Sequence, residues 1–206
     1  MKNIIYLILA TALFISCESD HELSKSVLIY DTEFKDLPEY SEWGYNTFGA
    51  YYDRKVFISN NYEIPLKIIS SLSTTSFIFN GELNSPSDYQ YYSSNYYGEM
   101  SLKLTLNNFN IENYTDLLVL NDSIIDLTQP DCNITVTIDN DIFEATVIRG
   151  EFEFKKVQNL IVDDEPTEII MSGTFDFQVL INEEPISISE GRFDIGVGED
   201  NFFIIN

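Results

Sequence analysis

The side chains able to do chemistry in this chain of 206 residues form a lopsided set. There is one histidine, His21, and there are two cysteines, Cys17 and Cys132. With its only imidazole near the N-terminus, before the first patterned segment, the domain is not built for Ser-His-Asp triads, histidine zinc centres or imidazole acid–base catalysis. Carboxylate is abundant instead: 34 Asp and Glu stand against 11 Lys and Arg, a formal net charge of -23. Two opposed acids can hydrolyse a glycoside, but among so many acids a neighbouring pair singles nothing out. The chain therefore reads as non-enzymatic, with no catalytic residue and no cofactor assigned. Asp139 and Asp141, and likewise Asp163 and Asp164, offer the loop oxygens that Ca²⁺ takes. Neither group has EF-hand spacing, and a solvated acidic turn is the simpler reading of both. Cys132 precedes an apolar alternation and reads as a small buried filler rather than a nucleophile.

A second chemistry-bearing stretch is aromatic. Residues 85 to 98, SPSDYQYYSSNYYG, carry Tyr89, Tyr91, Tyr92, Tyr96 and Tyr97 among Ser, Asn and Gly. That mixture gives antibody loops rigid amphipathic contact area with adaptable hydrogen bonding, and tyrosine faces suit a sugar ring. The plainer reading is a long hairpin connection whose tyrosines pack on their own strands. Trp43, with Tyr40, either joins this surface or plugs a barrel end. A glycan or a protein is the partner these residues fit. The acidic charge repels phosphate backbones, so nucleic acid is not expected as a partner.

The elements that must hold these residues are strands. In residues 167 to 182, Ile169, Met171, Gly173, Phe175, Phe177, Val179 and Ile181 alternate with polar positions, the period-2 signature of half-buried β-structure. After Asn182-Glu183-Glu184-Pro185 the chain returns with Ile186 and Ile188 on one phase and Phe193 and Ile195 on the other. Glu190-Gly191 supplies the extra residue of a bulge, with Gly expected at φ > 0. A similar phase shift falls at Arg149-Gly150. Further alternations run through Phe77 and Phe79, Leu102 to Leu106, and Ile134 to Ile138. Val27 to Tyr30 reads as a first edge strand, and 46 to 59 as an opening hairpin. Leu117 to Leu120 and Ile124 to Leu127 flank a turn at Asn121-Asp122-Ser123, and Asn113 to Leu120 has room for one helical turn at most. With 15 Phe and 13 Tyr in the chain, the expectation is an all-β fold. It is a single antiparallel β-sandwich or partly closed barrel of about 9 to 11 strands, with long bulged strands.

Residues 1 to 17, MKNIIYLILATALFISC, place Lys2 before an apolar run too short to span a bilayer comfortably. Ser16-Cys17 after that run resembles a bacterial lipobox, which implies acylation of Cys17 as the mature N-terminus. The chain then divides into a lipoprotein signal peptide (1 to 16), an acidic tether (17 to 36) and one β domain (37 to 206). Glu18-Ser19-Asp20-His21-Glu22 resembles the acidic tag that sends lipoproteins of Bacteroidota to the outer leaflet; a solvated tether explains it equally well. Leu37-Pro38, Gly44, Asn46-Thr47-Phe48-Gly49 and Lys55-Val56-Phe57, with Gly173-Thr174-Phe175 and Glu190-Gly191-Arg192-Phe193-Asp194 near the C-terminus, resemble the end motifs of a family of Bacteroidota lipoproteins of unknown function. The chain departs from that pattern at Ala50, Asp53-Arg54 and Phe57. The resemblance implies a lipid-anchored β domain and supplies no catalytic or binding residue. The expectation is an outer-membrane lipoprotein held to the membrane through its lipid alone, acting as a binding or structural module. The alternatives are a glycan-binding accessory protein using the tyrosines, and a lipocalin-like carrier of small hydrophobic ligands. An interior filled by phenylalanine would disfavour the last.

Overall fold

A computed structural model describes residues 26 to 59, 65 to 162 except 86 to 95, and 165 to 205, with backbone alone at 96 to 97, 162 and 165 to 167. Eleven strands follow in chain order: β1 (Thr47–Tyr52), β2 (Lys55–Ser59), β3 (Leu66–Ser70), β4 (Thr74–Asn84), β5 (Tyr96–Asn107), β6 (Ser123–Asp126), β7 (Cys132–Ile138), β8 (Asp141–Val162), β9 (Glu165–Ile181), β10 (Glu184–Val197) and β11 (Phe202–Ile204). Eight of them close a ring. The order β1-β2-β4-β5-β7-β8-β9-β10 returns to β1 through the antiparallel pairs Thr47↔Asp194 and Phe48↔Phe193. Of the two expected architectures, the barrel is the one formed, and it is closed.

The three remaining strands extend the wall. β2 and β3 pair in turn with one edge of β4, Ser59 opposite Gly81 and Leu66 opposite Phe79. β6 and β7 likewise share one edge of β8. β11 lies parallel to β3. Apart from the β2–β3 and β6–β7 links, which join strands lying end to end along one neighbour, the strand ends gather at two rims. One rim carries the β1–β2 turn at 53 to 54, the ends of β4 and β5 at Asn84 and Tyr96, and the turns at 139 to 140 and 182 to 183. The other carries the β3–β4 turn, the β5–β6 connection and the β8–β9 hairpin end.

The interior is packed with phenyl rings. Phe48, Phe57, Phe77, Phe79, Phe152, Phe154, Phe175, Phe177 and Phe193 are all buried, with neighbouring ring centroids 4.8 to 6.1 Å apart. Phe79 touches Phe48, Phe152, Phe175 and Phe193, and Phe152 stacks on Phe175. An eight-stranded barrel has an interior just wide enough for side chains, and here rings of about 150 to 250 Å² each fill it. Every alternate residue expected inside on β9, from Ile169 to Ile181, is buried.

Several local expectations are corrected. The β10 bulge is present, with Ile188 opposite Phe177 and Gly191 opposite Phe175, but the residue at positive φ is Glu190 (53°) and not Gly191. Gly191 is needed for space instead: a Cβ there would lie 2.3 Å from the Phe175 ring. The other bulge lies just before the expected Arg149-Gly150, at Ile148, since Val147 faces Val179 and Arg149 faces Gln178; Gly150, opposite Phe177, takes positive φ, 131°. Val27 to Tyr30 is no strand, and Tyr30 makes one bridge, to Pro38. Leu117 to Leu120 is no strand either. It belongs to a 3₁₀ helix, Tyr114–Leu120, started by an Asn113–Asp116 capping box, with Leu117 and Leu120 buried against the barrel.

Candidate functional site

Residues 26 to 46 form a strap across the outside of the seam between β1 and β10. Two charged residues of β10 hold it. Asp194, 1% exposed, accepts hydrogen bonds from the backbone N–H of Trp43 (3.1 Å), Gly44 (2.7 Å) and Tyr45 (3.2 Å), and from Ser41 Oγ. Converging N–H donors are what a buried carboxylate needs in place of water. Arg192 donates to Asp31 Oδ2 at 2.7 Å, approaches Glu190 Oε2 at 3.4 Å and stacks over the Phe34 ring at 4.8 Å. Asp31 is held below the usual carboxylate range, first by the Phe34 N–H bond, with smaller contributions from the Glu33 N–H and Arg192. The second half of the segment expected as a tether is thus packed on the barrel from Ser26, whose hydroxyl donates to Asn46 O.

This clamp presents Trp43, 71% exposed, on a loop whose backbone is fixed. Beside it Tyr40 donates to Glu42 Oε1 at 3.0 Å, with Lys155 Nζ 5.2 Å from its ring centroid and Gln158 Nε2 3.5 Å from Glu42 O. Burial, joined by the charge of Glu42, pushes the Tyr40 hydroxyl up to about 12. The result is an aromatic and polar patch on the outer wall of β8, β9 and β10.

The tyrosine-rich stretch belongs elsewhere. Tyr89, Tyr91 and Tyr92 lie outside the described residues, as do Cys17, Asp163 and Asp164. Tyr96 and Tyr97 open β5, where Tyr96 pairs with Asn84 at the rim of the β1–β2 turn. Trp43 precedes the opposite end of β1, so the structure does not bring Trp43 to the strand ends that flank this stretch, and Trp43 plugs no barrel end. What does stand beside those ends is the β7–β8 turn. Asp139 and Asn140 have φ of 50° and 78°, the type I′ geometry of a two-residue hairpin, and Asp139 N–H donates to Glu99 O at 3.0 Å. A cleft of about 180 Å³ on that side is lined by Asn80, Glu82, Glu99, Ser101, Thr137 and Asn140. Its carboxylates, amides and hydroxyls are of the kind that hydrogen-bond sugar hydroxyls.

Two further clefts mark irregularities in the wall. One of about 250 Å³ opens at the β10 bulge between Glu151, Glu153, Asp176, Glu190 and Arg192. Several of its charges are engaged with protein neighbours: Arg192 pairs with Asp31, and Glu153 accepts from Thr174 Oγ1 at 3.1 Å and lies 3.6 Å from Lys155. The other, about 450 Å³, lies where the chain detours between β6 and β7, and Cys132 is on its lining. Burial, with the charges of Asp131 and Asp126, pushes that thiol up to about 11, which keeps it protonated and a poor nucleophile at neutral pH. Among the described residues no group of three or more His, Cys, Asp or Glu is placed to hold a metal ion.

No protein-family model, no curated protein and no solved structure matches the chain. The residues that sequence reading passed over are Asp31, Arg192 and Asp194. Their signal was present in outline, because Arg192 and Asp194 flank Phe193 inside one of the quoted end motifs. Alternation assigned them to the wet face of β10, and nothing local said that face was covered.

Proposed function

We propose that this chain is a non-enzymatic envelope lipoprotein, held to the outer membrane by an acyl chain on Cys17, whose barrel works as a binding or structural module through its outer surface. The observation that carries this reading is the phenyl-packed interior. Rings in van der Waals contact occupy the space that an internally carried ligand would need, which speaks against lipocalin-like carriage and leaves the wall and rims for recognition. The partner is a glycan or a protein. The glycan form of the reading draws on the rim where Asn84 and Tyr96 bracket the tyrosine-rich stretch, next to the cleft of Asn80, Glu82, Glu99 and Asn140. A fixed, exposed Trp43 is a second, separate aromatic surface.

Metabolic labelling with palmitate in the host tests the anchor. Label is expected on the wild type and absent from Cys17→Ala, and an unacylated Cys17 in the isolated protein overturns the reading. Glycan arrays test the partner. Binding that is lost when Tyr89, Tyr91, Tyr92, Tyr96 and Tyr97 become Ser, and kept in Trp43→Ser, assigns it to the rim; the reverse assigns it to the wall.

A further inference from the structure

With the anchor on Cys17, as proposed above, the chain between lipid and barrel is short, and where it joins is fixed. Cys17 and Ser26 are nine residues apart in sequence, a span of at most about 30 Å for any conformation of the chain. Ser26 Oγ donates to Asn46 O, and Val27 N–H donates to Tyr45 O at 2.8 Å, so the chain meets the barrel at the start of β1. That is the side of the β3–β4 turn and the β8–β9 hairpin end. From that level the tyrosine-flanked rim lies the full run of β1 and its turn away, and β5 and β8 reach farther still in that direction. Resting that rim on a bilayer would stretch the nine residues towards their limit, at a cost in chain entropy. Resting the other rim on it would not.

Exposed apolar side chains give an independent indication of the same end. Leu72 in the β3–β4 turn is 84% exposed, Val119 in the 3₁₀ helix 68% and Ile161 near the β8–β9 hairpin end 63%, and Ile204 and Ile205 are also exposed beside Ser70. Four separate elements thus bring aliphatic groups to one rim. Among the described residues the opposite rim has Ile142 and Leu180. Isolated exposed aliphatics are ordinary, but their convergence at the tethered end is the pattern of a surface that meets an apolar partner. Glu112, Asp116, Asp122, Glu199 and Asp200 share that rim, so the surface suits a zwitterionic bilayer rather than an anionic one.

We propose that the rim bearing Leu72, Val119, Ile161, Ile204 and Ile205 rests on the zwitterionic bilayer to which Cys17 is anchored, so that the rim flanking the tyrosine-rich stretch faces away from the membrane. This orientation rests on the lipid-anchor reading above. The chain has a single tryptophan, which makes a direct test available. In a Trp43→Phe background, one tryptophan is placed at Leu72→Trp or Val119→Trp on the tethered rim, or at Arg54→Trp or Ile142→Trp on the far rim. The protein isolated from its host is reconstituted into phosphatidylcholine vesicles with and without bromine on the acyl chains. Interfacial side chains sit about 5 to 10 Å into the headgroup boundary, within reach of bromine, so the tethered-rim tryptophans are expected to lose about half their emission and the far-rim ones little. Quenching at 54 and 142 equal to that at 72 and 119, or at none of the four, overturns the orientation while the protein still floats with the vesicles. A protein that does not float and carries an unacylated Cys17 overturns the anchor and the orientation together.

Discussion

The inside of the barrel and the contact between the strap and the outer wall are both buried, yet they are held by opposite kinds of force. Inside, nine phenylalanines pack with no polar atom among their side chains. Burial of that kind is non-directional and scales with area. On the outside, Leu37 of the strap is fully buried against the wall, but the strap's position is set by a few directional contacts to Asp194 and Arg192. The difference teaches where cooperativity should lie. The barrel should melt as a unit, while the strap should be able to open from a barrel that stays folded.

Phe79→Ala strikes the first region at its centre, since Phe79 touches four other rings. A loss of about 3 to 5 kcal/mol is expected from the transfer and cavity terms together. Chemical denaturation should show it as one lowered midpoint, with near- and far-ultraviolet signals falling together. Two separate transitions would mean that the rings do not act as one core.

Asp194→Ala strikes the second region. Three backbone N–H groups and the Ser41 hydroxyl lose their acceptor, and each orphaned buried donor costs about 1 to 3 kcal/mol. The strap can recover much of this by lifting into water, so a net loss of about 2 to 3 kcal/mol is expected. Its signature is local: faster amide exchange and a shifted Trp43 emission at 41 to 45, with the barrel amides still protected. Uniform loss of protection across β9 and β10 would make the strap part of the barrel's own cooperative unit and abolish the contrast.

This contrast also explains what could be read from sequence. The phenyl face of β9 was legible because its neighbours in space are its neighbours at spacing two, and so was the bulge at Glu190-Gly191. Closure was not, since it depends on Phe48 meeting Phe193 across most of the chain. Residues 26 to 46 carry no period at all, so Val27 to Tyr30 looked like a strand and Trp43 like a companion of distant tyrosines. Asp194 shows the limit most sharply. Its alternation with Phe193 correctly says that it points outward, and only the folded strap makes outward mean buried.

The smallest effect separates the two regions by pH. Asp31, in the strap, is held below its ordinary value by N–H bonds from Phe34 and Glu33 and by Arg192. A carboxyl with a lowered folded-state pKa contributes stability that is present above its unfolded value and lost as pH falls through the lowered one, so acid should loosen the strap, and Asp31→Asn should blunt that response. Glu168, on β9 between Gly196 and Gly198 of the neighbouring wall, is raised instead, first by burial and then by the charge of Asp200. For a raised carboxyl the sign reverses: its contribution is complete below the unfolded value and lost as pH rises through the folded one. Glu168→Gln should therefore stabilise the barrel at neutral pH, by less than about 1 kcal/mol, and the gain should vanish near pH 4, about where a free carboxyl titrates. Denaturation midpoints at the two pH values measure both effects. A Glu168→Gln gain that persists undiminished in acid would show that side-chain shape, not the charge of a half-buried carboxylate beside Asp200, limits the wall at that point.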